Sequence, residues 1–327
     1  MKKTMDIVAL GELLIDFTEA GTGADGMKLF EQNPGGAPAN LLTAASHMGY
    51  RTAFIGKVGM DMHGAFLKKT LEKEGIDTRA LVEDPETFTT LAFVEINENG
   101  ERNFSFARKP GADTQLRREE LDQQLLSDCQ IFHFGSLSLT DEPSRSATWE
   151  AARLAKSAGA LISYDPNYRP PLWRCQEEAA EGMKSVVSLV DVMKVSDEES
   201  LLLTGETTYE KAALQLLSRG PKLVAVTLGG DGVLLVSKEH QEMIPAFRTE
   251  AVDTTGAGDS FWGGFLSCFL SYQKELEQMT WEELKNCAVT GNAVASLCVR
   301  KRGGIPAVPT KEEVEDFLQK RSCGENC

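Results

Sequence analysis

Residues 256–259 place a carboxylate next to three small residues, a combination that could transfer a charged group. They read Gly256, Ala257, Gly258 and Asp259, and apolar residues with helical spacing follow from 261 to 269. The first amides of a helix have no partner within it and lie at the positive end of its dipole, so a glycine turn there admits an anion. A carboxylate beside such an anion hole could deprotonate a hydroxyl while the hole holds the phosphoryl group that it attacks.

The same residues also have a purely structural interpretation. Asp253 would form a turn, and one of the two threonines after it would cap the helix. Asp259 would then only favour the helix dipole. This interpretation explains each residue separately, but not the grouping of two carboxylates, two hydroxyls and two glycines within residues 253–259. We therefore interpret this stretch as a functional site, and we expect an apolar strand to lead into it.

A second cluster of small residues begins another predicted helix. Gly35 and Gly36 permit close approach of the backbone, and Pro38 suits a first helical turn. Asn40 lies in that turn, so its amide is expected at the same end of the helix as the two glycines. Gly49 is expected to end the helix. The alternative interpretation is a loop followed by an ordinary helix start.

Polar side chains at strand ends supply further candidates. The apolar run 7–17 predicts a buried strand that ends near Asp16, and a later predicted strand ends at Asp165, followed by Asn167 and Arg169. Open α/β sheets bind ligands beyond the carboxyl ends of their strands, so these groups are candidate ligand contacts. A solvated charge at a strand end would explain Asp16 equally well.

The order of predicted elements indicates the fold class. Strands and helices alternate along most of the chain, which favours an α/β fold with a mostly parallel central sheet. Short strands in residues about 15–33 and 87–110, with a hairpin turn at 97–100, interrupt this alternation. We expect them to form a small β-sheet lid inserted in a single domain, residues 1–327. Arg108 beside the lid is either a surface charge or a substrate contact.

Composition argues against several classes of function. The net charge of −15 opposes non-specific binding to nucleic acid or to an anionic membrane, because both need a basic face. We find no P-loop motif, no secretion signal and no apolar run long enough to span a membrane. Seven cysteines without a Cys-x-x-Cys pair suit a reducing cytoplasm. His133 lacks a ligand partner at metal-site spacing, so we expect a core histidine.

Two motifs resemble those of a known family. Residues 253–259 resemble the C-terminal motif of the ribokinase-like (PfkB) sugar kinases, and residues 33–40 resemble the N-terminal motif. The segments that are similar to fructokinases within this family are 108–113, 133–137, 164–173 and 194–199. The resemblance covers nearly the whole chain. It implies a ribokinase-like three-layer sandwich and phosphorylation of a sugar hydroxyl by ATP, with fructose converted to fructose 6-phosphate.

The resemblance also implies roles for individual residues. Asp259 would be the catalytic base, and the anion hole would consist of Gly256, Ala257 and Gly258. The implied sugar contacts are Asp16, Gly35, Gly36, Asn40, Arg108 and Arg169. The implied nucleotide contacts are Asn167, Ser196, Thr227, Gly229, Gly232 and Asn292. The implied metal contacts are Glu199, which would organise Mg²⁺ through water, and Asp253 with Thr255, which would bind K⁺.

Ser196 differs from a residue common in the family, and both Ser196 and Glu199 have an alternative structural interpretation. Ser196 stands where many members of the family have asparagine, although serine is common among fructokinases. Ser196 and Glu199 also have the spacing of a helix capping box, which explains both residues structurally.

Other functions and the assembly state stay open from the sequence. A 2-keto-3-deoxygluconate kinase and a nucleoside kinase would share this machinery, whereas a sugar sensor without catalysis should lack a base such as Asp259. We expect a homodimer joined through the lids. A small isolated sheet is marginally stable, and the sugar needs only one of its faces.

Overall fold

The computed structural model describes residues 3–96 and 102–322. Its strands are Met5–Leu10 (β1), Leu14–Thr22 (β2), Lys28–Gly35 (β3), Thr52–Gly59 (β4), Ile76–Asp84 (β5), Leu91–Ile96 (β6), Arg102–Ala107 (β7), Cys129–Gly135 (β8), Leu161–Asp165 (β9), Val192–Ser196 (β10), Leu223–Thr227 (β11), Val233–Ser237 (β12) and Gln241–Ile244 (β13). Its helices are Ala37–His47 (α1), Met62–Lys73 (α2), Gln123–Ser127 (α3), Ser144–Ser157 (α4), Gln176–Ser185 (α5), Asp197–Thr204 (α6), Tyr209–Leu217 (α7), Ala257–Ser271 (α8), Trp281–Cys298 (α9) and Lys311–Ser322 (α10).

A nine-stranded sheet forms the middle layer, in the order β13-β12-β11-β10-β9-β8-β1-β4-β5. Pairing is parallel from β11 to β5 and antiparallel where β12 and β13 extend the sheet. Helices α1, α2, α8 and α9 bury apolar side chains against one face, and α3 to α7 bury theirs against the other. The predicted α/β fold, with a mostly parallel sheet between two helical layers, is confirmed. No helix in the described ranges combines the length and apolar character needed to cross a bilayer.

A second sheet of four strands lies apart from the first, in the order β3-β2-β6-β7. Its strands fall within the two segments predicted to form the lid, 15–33 and 87–110, apart from one residue at the start of β2 and two at the end of β3. Phe17 and Phe93 stack across it with ring centroids 5.4 Å apart. The predicted hairpin turn at 97–100 lies outside the described residues.

The apolar run 7–17 divides between the two sheets instead of forming one strand. The chain leaves the central sheet after Leu10 and enters the lid at Leu14. A Cβ on Gly11 would lie 2.6 Å from Pro38, and one on Gly36 would lie 2.4 Å from a backbone oxygen, so the crossing depends on glycine. Asp16 therefore lies in lid strand β2, and its prediction at the carboxyl end of a central strand is wrong.

Two further elements differ from the sequence predictions. Strand β5, Ile76–Asp84, forms the edge of the central sheet and was not predicted. Its burial is mixed rather than alternating, and it packs on strand β4 and on helices α2 and α1. The predicted strand leading into residue 256 is a loop, since β13 ends at Ile244.

Helix α8 is fixed closely against α1 and the central sheet. The indole nitrogen of Trp262 donates to Ser163 Oγ in β9 (2.8 Å), and His133 Nδ1 lies 2.9 Å from the same oxygen. Burial lowers the pKa of His133 to about 3, so it is the neutral core histidine that the sequence predicted. A Cβ on Gly263 would lie 2.6 Å from the carbonyl oxygen of Leu41 in α1. Glycine thus sets the separation of the two helices.

Gly263→Ala should lower the free energy of unfolding by about 1–3 kcal/mol, because the added methyl forces α1 and α8 apart in a packed core. Urea denaturation would measure the change. Gly23→Ala is a suitable control, since its Cβ would meet nothing closer than 3.6 Å. Equal stability of the two variants would contradict this account of the helix contact.

Candidate active site

The N-terminus of α8 carries the group with the clearest chemical capacity. Gly256 caps the helix in the left-handed conformation (φ 72°), and Ala257 N donates to Thr254 O at 3.2 Å. Within the described ranges, no group accepts from the amides of Gly258 and Asp259. These two N–H groups lie at the positive end of the helix dipole and are available to an anion. Of the three predicted anion-hole residues, Ala257 has its amide engaged, whereas no acceptor is found for the amides of Gly256 and Gly258 among the described residues.

Asp259 lies in the first turn of this helix and is 9% exposed. Its Oδ2 accepts a hydrogen bond from Asn40 Nδ2 of α1 at 2.8 Å. Burial raises the pKa of Asp259 to about 6; the cation of Lys194 opposes this shift, and the carboxylate of Asp165 adds to it. A carboxylate with this pKa is ionised at neutral pH and basic enough to accept a proton.

A cavity of about 310 Å³ opens on one side of Asp259, between the lid and α1. Five of the six predicted sugar contacts line it: Asp16, Gly35, Gly36, Asn40 and Arg169. The Oδ1 atom of Asn40 is buried and finds no hydrogen-bond partner among the described residues. A Cβ at position 35 would lie 2.2 Å from Asp16 Oδ2, so only glycine leaves room for that carboxylate. The cavity thus offers oxygen acceptors suited to hydroxyl donors.

A second cavity, of about 470 Å³, opens on the other side of Asp259. Its lining includes the predicted anion-hole residues Gly256, Ala257 and Gly258 and the predicted nucleotide contacts Asn167 and Ser196. The residues that line both cavities are Asn167, Arg169, Thr254, Gly256 and Asp259. The candidate base is therefore part of the wall between the two spaces.

Ser196 and Glu199 form the predicted capping box at the start of α6. Ser196 Oγ accepts from Glu199 N at 3.1 Å, and Glu199 Oε2 accepts from Ser196 N at 2.8 Å. Glu199 Oε1 accepts from Tyr168 N at 2.6 Å. Glu199 also lines the second cavity. Because both its oxygens already accept a backbone N–H, a metal-bound water would have to use their remaining lone pairs.

Asp253 joins two loops beside the helix N-terminus. Its Oδ1 accepts from Thr255 N and Thr255 Oγ1, at 2.9 and 2.7 Å. Its Oδ2 accepts from Gly303 N at 3.0 Å. The two residues predicted to bind K⁺ are thus brought together next to the loop after α9. Carboxylate, hydroxyl and carbonyl oxygens are the ligand types that a hard cation prefers.

Arg108 does not line either cavity. Its guanidinium is buried in an ion pair with Asp113 Oδ2 (2.7 Å) and also donates to Thr140 Oγ1 and Leu137 O. Both interpretations left open by the sequence, a surface charge and a substrate contact, are replaced by a structural one. Arg108 stabilises the segment between the lid and the central sheet.

Four predicted nucleotide contacts lie farther along the sheet and line neither cavity. Thr227 is next to Ser196 in the register of β10 and β11, and Gly229 follows it in the turn. Asn292 of α9 donates to Ile244 O and Pro245 O. A Cβ on Gly232 would lie 2.2 Å from that same Ile244 oxygen. These residues continue the surface beyond Ser196, with the amide of Asn292 engaged by the loop.

Two charged residues at the site, Lys194 and Glu12, were not singled out from the sequence. Lys194 Nζ donates to Asp165 Oδ2 at 2.8 Å, and both side chains are buried. Glu12 Oε1 accepts from Ala37 N, and burial raises the pKa of Glu12 to about 7. The available signal was a charged residue within a strand or turn that is otherwise apolar. The role of such a charged residue depends on which strands become neighbours in the fold, and a single sequence does not specify those neighbours.

In the described parts of the chain, no group of three or more His, Cys, Asp or Glu side chains could hold a metal ion.

Comparison with known proteins identifies the family. A family model described as pfkB family carbohydrate kinase matches residues 4–311. The chain belongs to the pfkB family of carbohydrate kinases. It is 42% identical over 318 residues to fructokinase-2 of Oryza sativa subsp. japonica. This match covers 96% of this chain and 94% of that protein. The predicted family resemblance and the prediction of a sugar kinase are confirmed.

Solved structures of pfkB-type kinases share the fold. A fructokinase from Xylella fastidiosa with bound ATP superposes with a TM-score of 0.89 at 33% identity, covering 97% of this chain and 99% of that one. A fructokinase double mutant from Vibrio cholerae O395, in a fructose-, ADP- and potassium-bound form, superposes with a TM-score of 0.86 at 31% identity, covering 97% and 100%. The predicted ribokinase-like sandwich is confirmed.

Proposed function

We propose that this protein transfers the γ-phosphoryl group of ATP to fructose and forms fructose 6-phosphate and ADP. The observation that carries the proposal is the position of Asp259 in the wall shared by two cavities. One cavity presents hydroxyl-binding oxygens, and the other adjoins the N-terminus of α8. A base at such a junction can act on an acceptor from one side while a phosphate donor occupies the other.

The residues account for the transfer step by step. The carboxylate of Asp259 takes the proton of the acceptor hydroxyl as that oxygen bonds to the γ-phosphorus. The bond to the bridging oxygen breaks, and ADP leaves with its electron pair. The amides of Gly258 and Asp259 stabilise charge on the phosphoryl oxygens during the transfer. Asn40 holds Asp259 in place, and its own Oδ1 would accept from the sugar.

Mg²⁺ would accompany the nucleotide. It usually keeps several waters and binds through phosphates and one or two carboxylates. Glu199 fits a contact through water, because it lines the second cavity while its oxygens already accept backbone N–H groups. When bound, the ion would neutralise phosphate charge.

Fructose is favoured over 2-keto-3-deoxygluconate as the acceptor. A sugar acid needs a cation for its carboxylate, and Arg108 is buried away from the cavity, paired with Asp113. Arg169 and Arg302 do line the cavity, and one N–H group of Arg169 donates to Tyr168 O, so the preference for fructose draws mainly on similarity to known proteins. A relative at 42% identity and two structures at 31 and 33% identity are named fructokinases.

A coupled ADP-release assay with fructose, 2-keto-3-deoxygluconate, ribose and adenosine tests the proposed function. Fructose should give the highest kcat/KM. Asp16→Ala should reduce it more than Arg169→Lys, because Asp16 accepts directly from sugar hydroxyls. Preference for the sugar acid, with Arg169→Lys the more damaging change, would refute the fructose assignment, since a carboxylate depends on bidentate guanidinium contact.

Asp259→Asn should reduce kcat by about 10²–10⁴ while fructose affinity stays within a few-fold, because the amide keeps the shape and loses the proton acceptor. Wild-type kcat/KM should decrease below pH about 6, where Asp259 becomes protonated. The pH–rate profile and calorimetric titration would measure both effects. Asp316→Asn, on the exposed side of α10, is the control. Asp259 is not the base if its asparagine variant keeps more than about a tenth of wild-type turnover.

We also propose a monovalent-cation site at Asp253 and Thr255, completed by carbonyls of the loop after α9. K⁺ should raise kcat/KM relative to tetramethylammonium at matched ionic strength, because it would organise the loops beside the anion hole. Asp253→Asn should abolish the activation. Equal rates in the two salts would count against the site.

Finally, we propose a homodimer joined through the lids, in the cytoplasm. Support comes from exposed apolar side chains on and beside the lid, including Leu29, Phe30, Phe88 and Phe93. Light scattering should give twice the chain mass, and Phe88→Glu should lower it. Leu214→Glu is a matched control, since Leu214 is similarly exposed on α7. A monomeric wild type at working concentration would refute the dimer.

The free thiols of the described cysteines suit a reducing compartment, which supports the proposed cytoplasmic location.

A further inference from the structure

Lys194 is a buried cation with no assigned role in the proposed transfer step. It is the third residue of β10 and is 6% exposed. The register of β9 and β10 places it beside Asp165, the last residue of β9, and its Nζ donates to Asp165 Oδ2 at 2.8 Å. This is the one hydrogen bond recorded for the ammonium group in the described residues. The ion pair fixes the charge but leaves capacity for further acceptors.

The ammonium group lies directly against the first turn of α8. A Cβ on Gly258 would lie only 2.8 Å from Lys194 Nζ. Trp262, one helical turn farther along, donates a hydrogen bond to Ser163 of β9, so the helix is held at this distance from the strands. The glycine at 258 therefore has a second role, since it allows the cation to approach the backbone whose amides are available to an anion.

A cation at this position is unusual in electrostatic terms. The N-terminus of a helix is already positive, and a buried charge is costly unless it is paired. The charged groups that face Lys194 are Asp165, Glu199 and Asp259, and those that face Asp259 are Lys194, Asp165 and Arg169. Burial lowers the pKa of Lys194, but the three carboxylates raise it above its ordinary value. Lys194 is therefore a permanent positive charge.

We propose that Lys194, fixed by Asp165, is a positioning residue that supplies the positive charge behind the anion hole. This charge keeps Asp259 ionised in its buried position and attracts the terminal phosphate of a bound nucleoside triphosphate. The inference rests on the proposed kinase function and adds a residue to its machinery. It assigns the Asp165–Lys194 pair a role in transfer that goes beyond joining two strands.

Lys194→Met tests the proposal, because it keeps most of the side-chain volume and removes the charge. Lys57→Met is a matched control: Lys57 is equally buried, at 6% exposed, and is paired with Glu120 and Asp84 near the other end of the sheet. The double variant Lys194→Met/Asp165→Asn removes both charges, so that no unpaired carboxylate is left to unfold the protein. Circular dichroism establishes that each variant is folded.

The pH–rate profile separates this role from a structural one. In Lys194→Met and in the double variant, kcat should fall by about 10²-fold with the KM for fructose nearly unchanged. In Lys194→Met the acidic limb should also move up by about one pH unit, because an opposite charge no longer favours the carboxylate of Asp259. Lys57→Met should leave the limb in place. A folded double variant with wild-type kcat would overturn the proposal, as would an unmoved limb in Lys194→Met.

Nucleotide affinity gives a readout that needs no acceptor. Calorimetry should show that Lys194→Met binds a methylene-bridged ATP analogue about tenfold more weakly than the wild type does, with a much smaller loss for ADP. Equal losses for the two nucleotides would overturn the proposed attraction of the terminal phosphate by Lys194. The wild type could fail to phosphorylate fructose while Lys194→Met still loses more affinity for the ATP analogue than for ADP. That result would contradict the proposed acceptor and leave the role of Lys194 supported.

Discussion

The hydrogen bond between Asn40 and Asp259 joins two helix N-termini that are 219 residues apart in sequence. It forms because α1 and α8 pack at a distance that glycine alone permits. The same contact buries Asp259, which raises its pKa towards neutrality. Geometry and basicity at the site therefore have one origin, the close packing of two helices on one face of the central sheet.

The charges around this bond form an alternating arrangement. Asp165 pairs with Lys194 at the carboxyl ends of adjacent strands, and Lys194 lies beneath the helix turn that carries Asp259. Each charge is buried, and each has an opposite charge within its surroundings, which is the condition for keeping ions in a protein interior. Trp262 and Ser163 set the height of α8 above the strands, so a neutral hydrogen bond determines the distances between the ions.

Local sequence signals predicted much of this molecule. The glycines at 35, 36, 256 and 258, the capping box at Ser196 and the polar residues after β9 could be recognised because turns and caps demand particular residue types. Lys194 and Glu12 were missed because their roles depend on which strands and turns become neighbours. Arg108 was misplaced for a related reason: its partners Asp113 and Thr140 come together only in the fold. Strand β5 lacked the alternation that would have revealed it.

The first cavity is lined partly by the lid and partly by residues packed on the central sheet, and this affects how such a protein can diverge. Asp16 belongs to a lid strand whose outer residues are exposed, whereas Asp259 and Lys194 are held in the packed interior. Substitutions at a surface are usually tolerated within about 0.5 kcal/mol, and those in a tight core are not. Selection can therefore explore new acceptors on the lid at small cost in stability, while the transfer machinery is inherited unchanged. A lineage built on this plan would diversify in what it phosphorylates rather than in how.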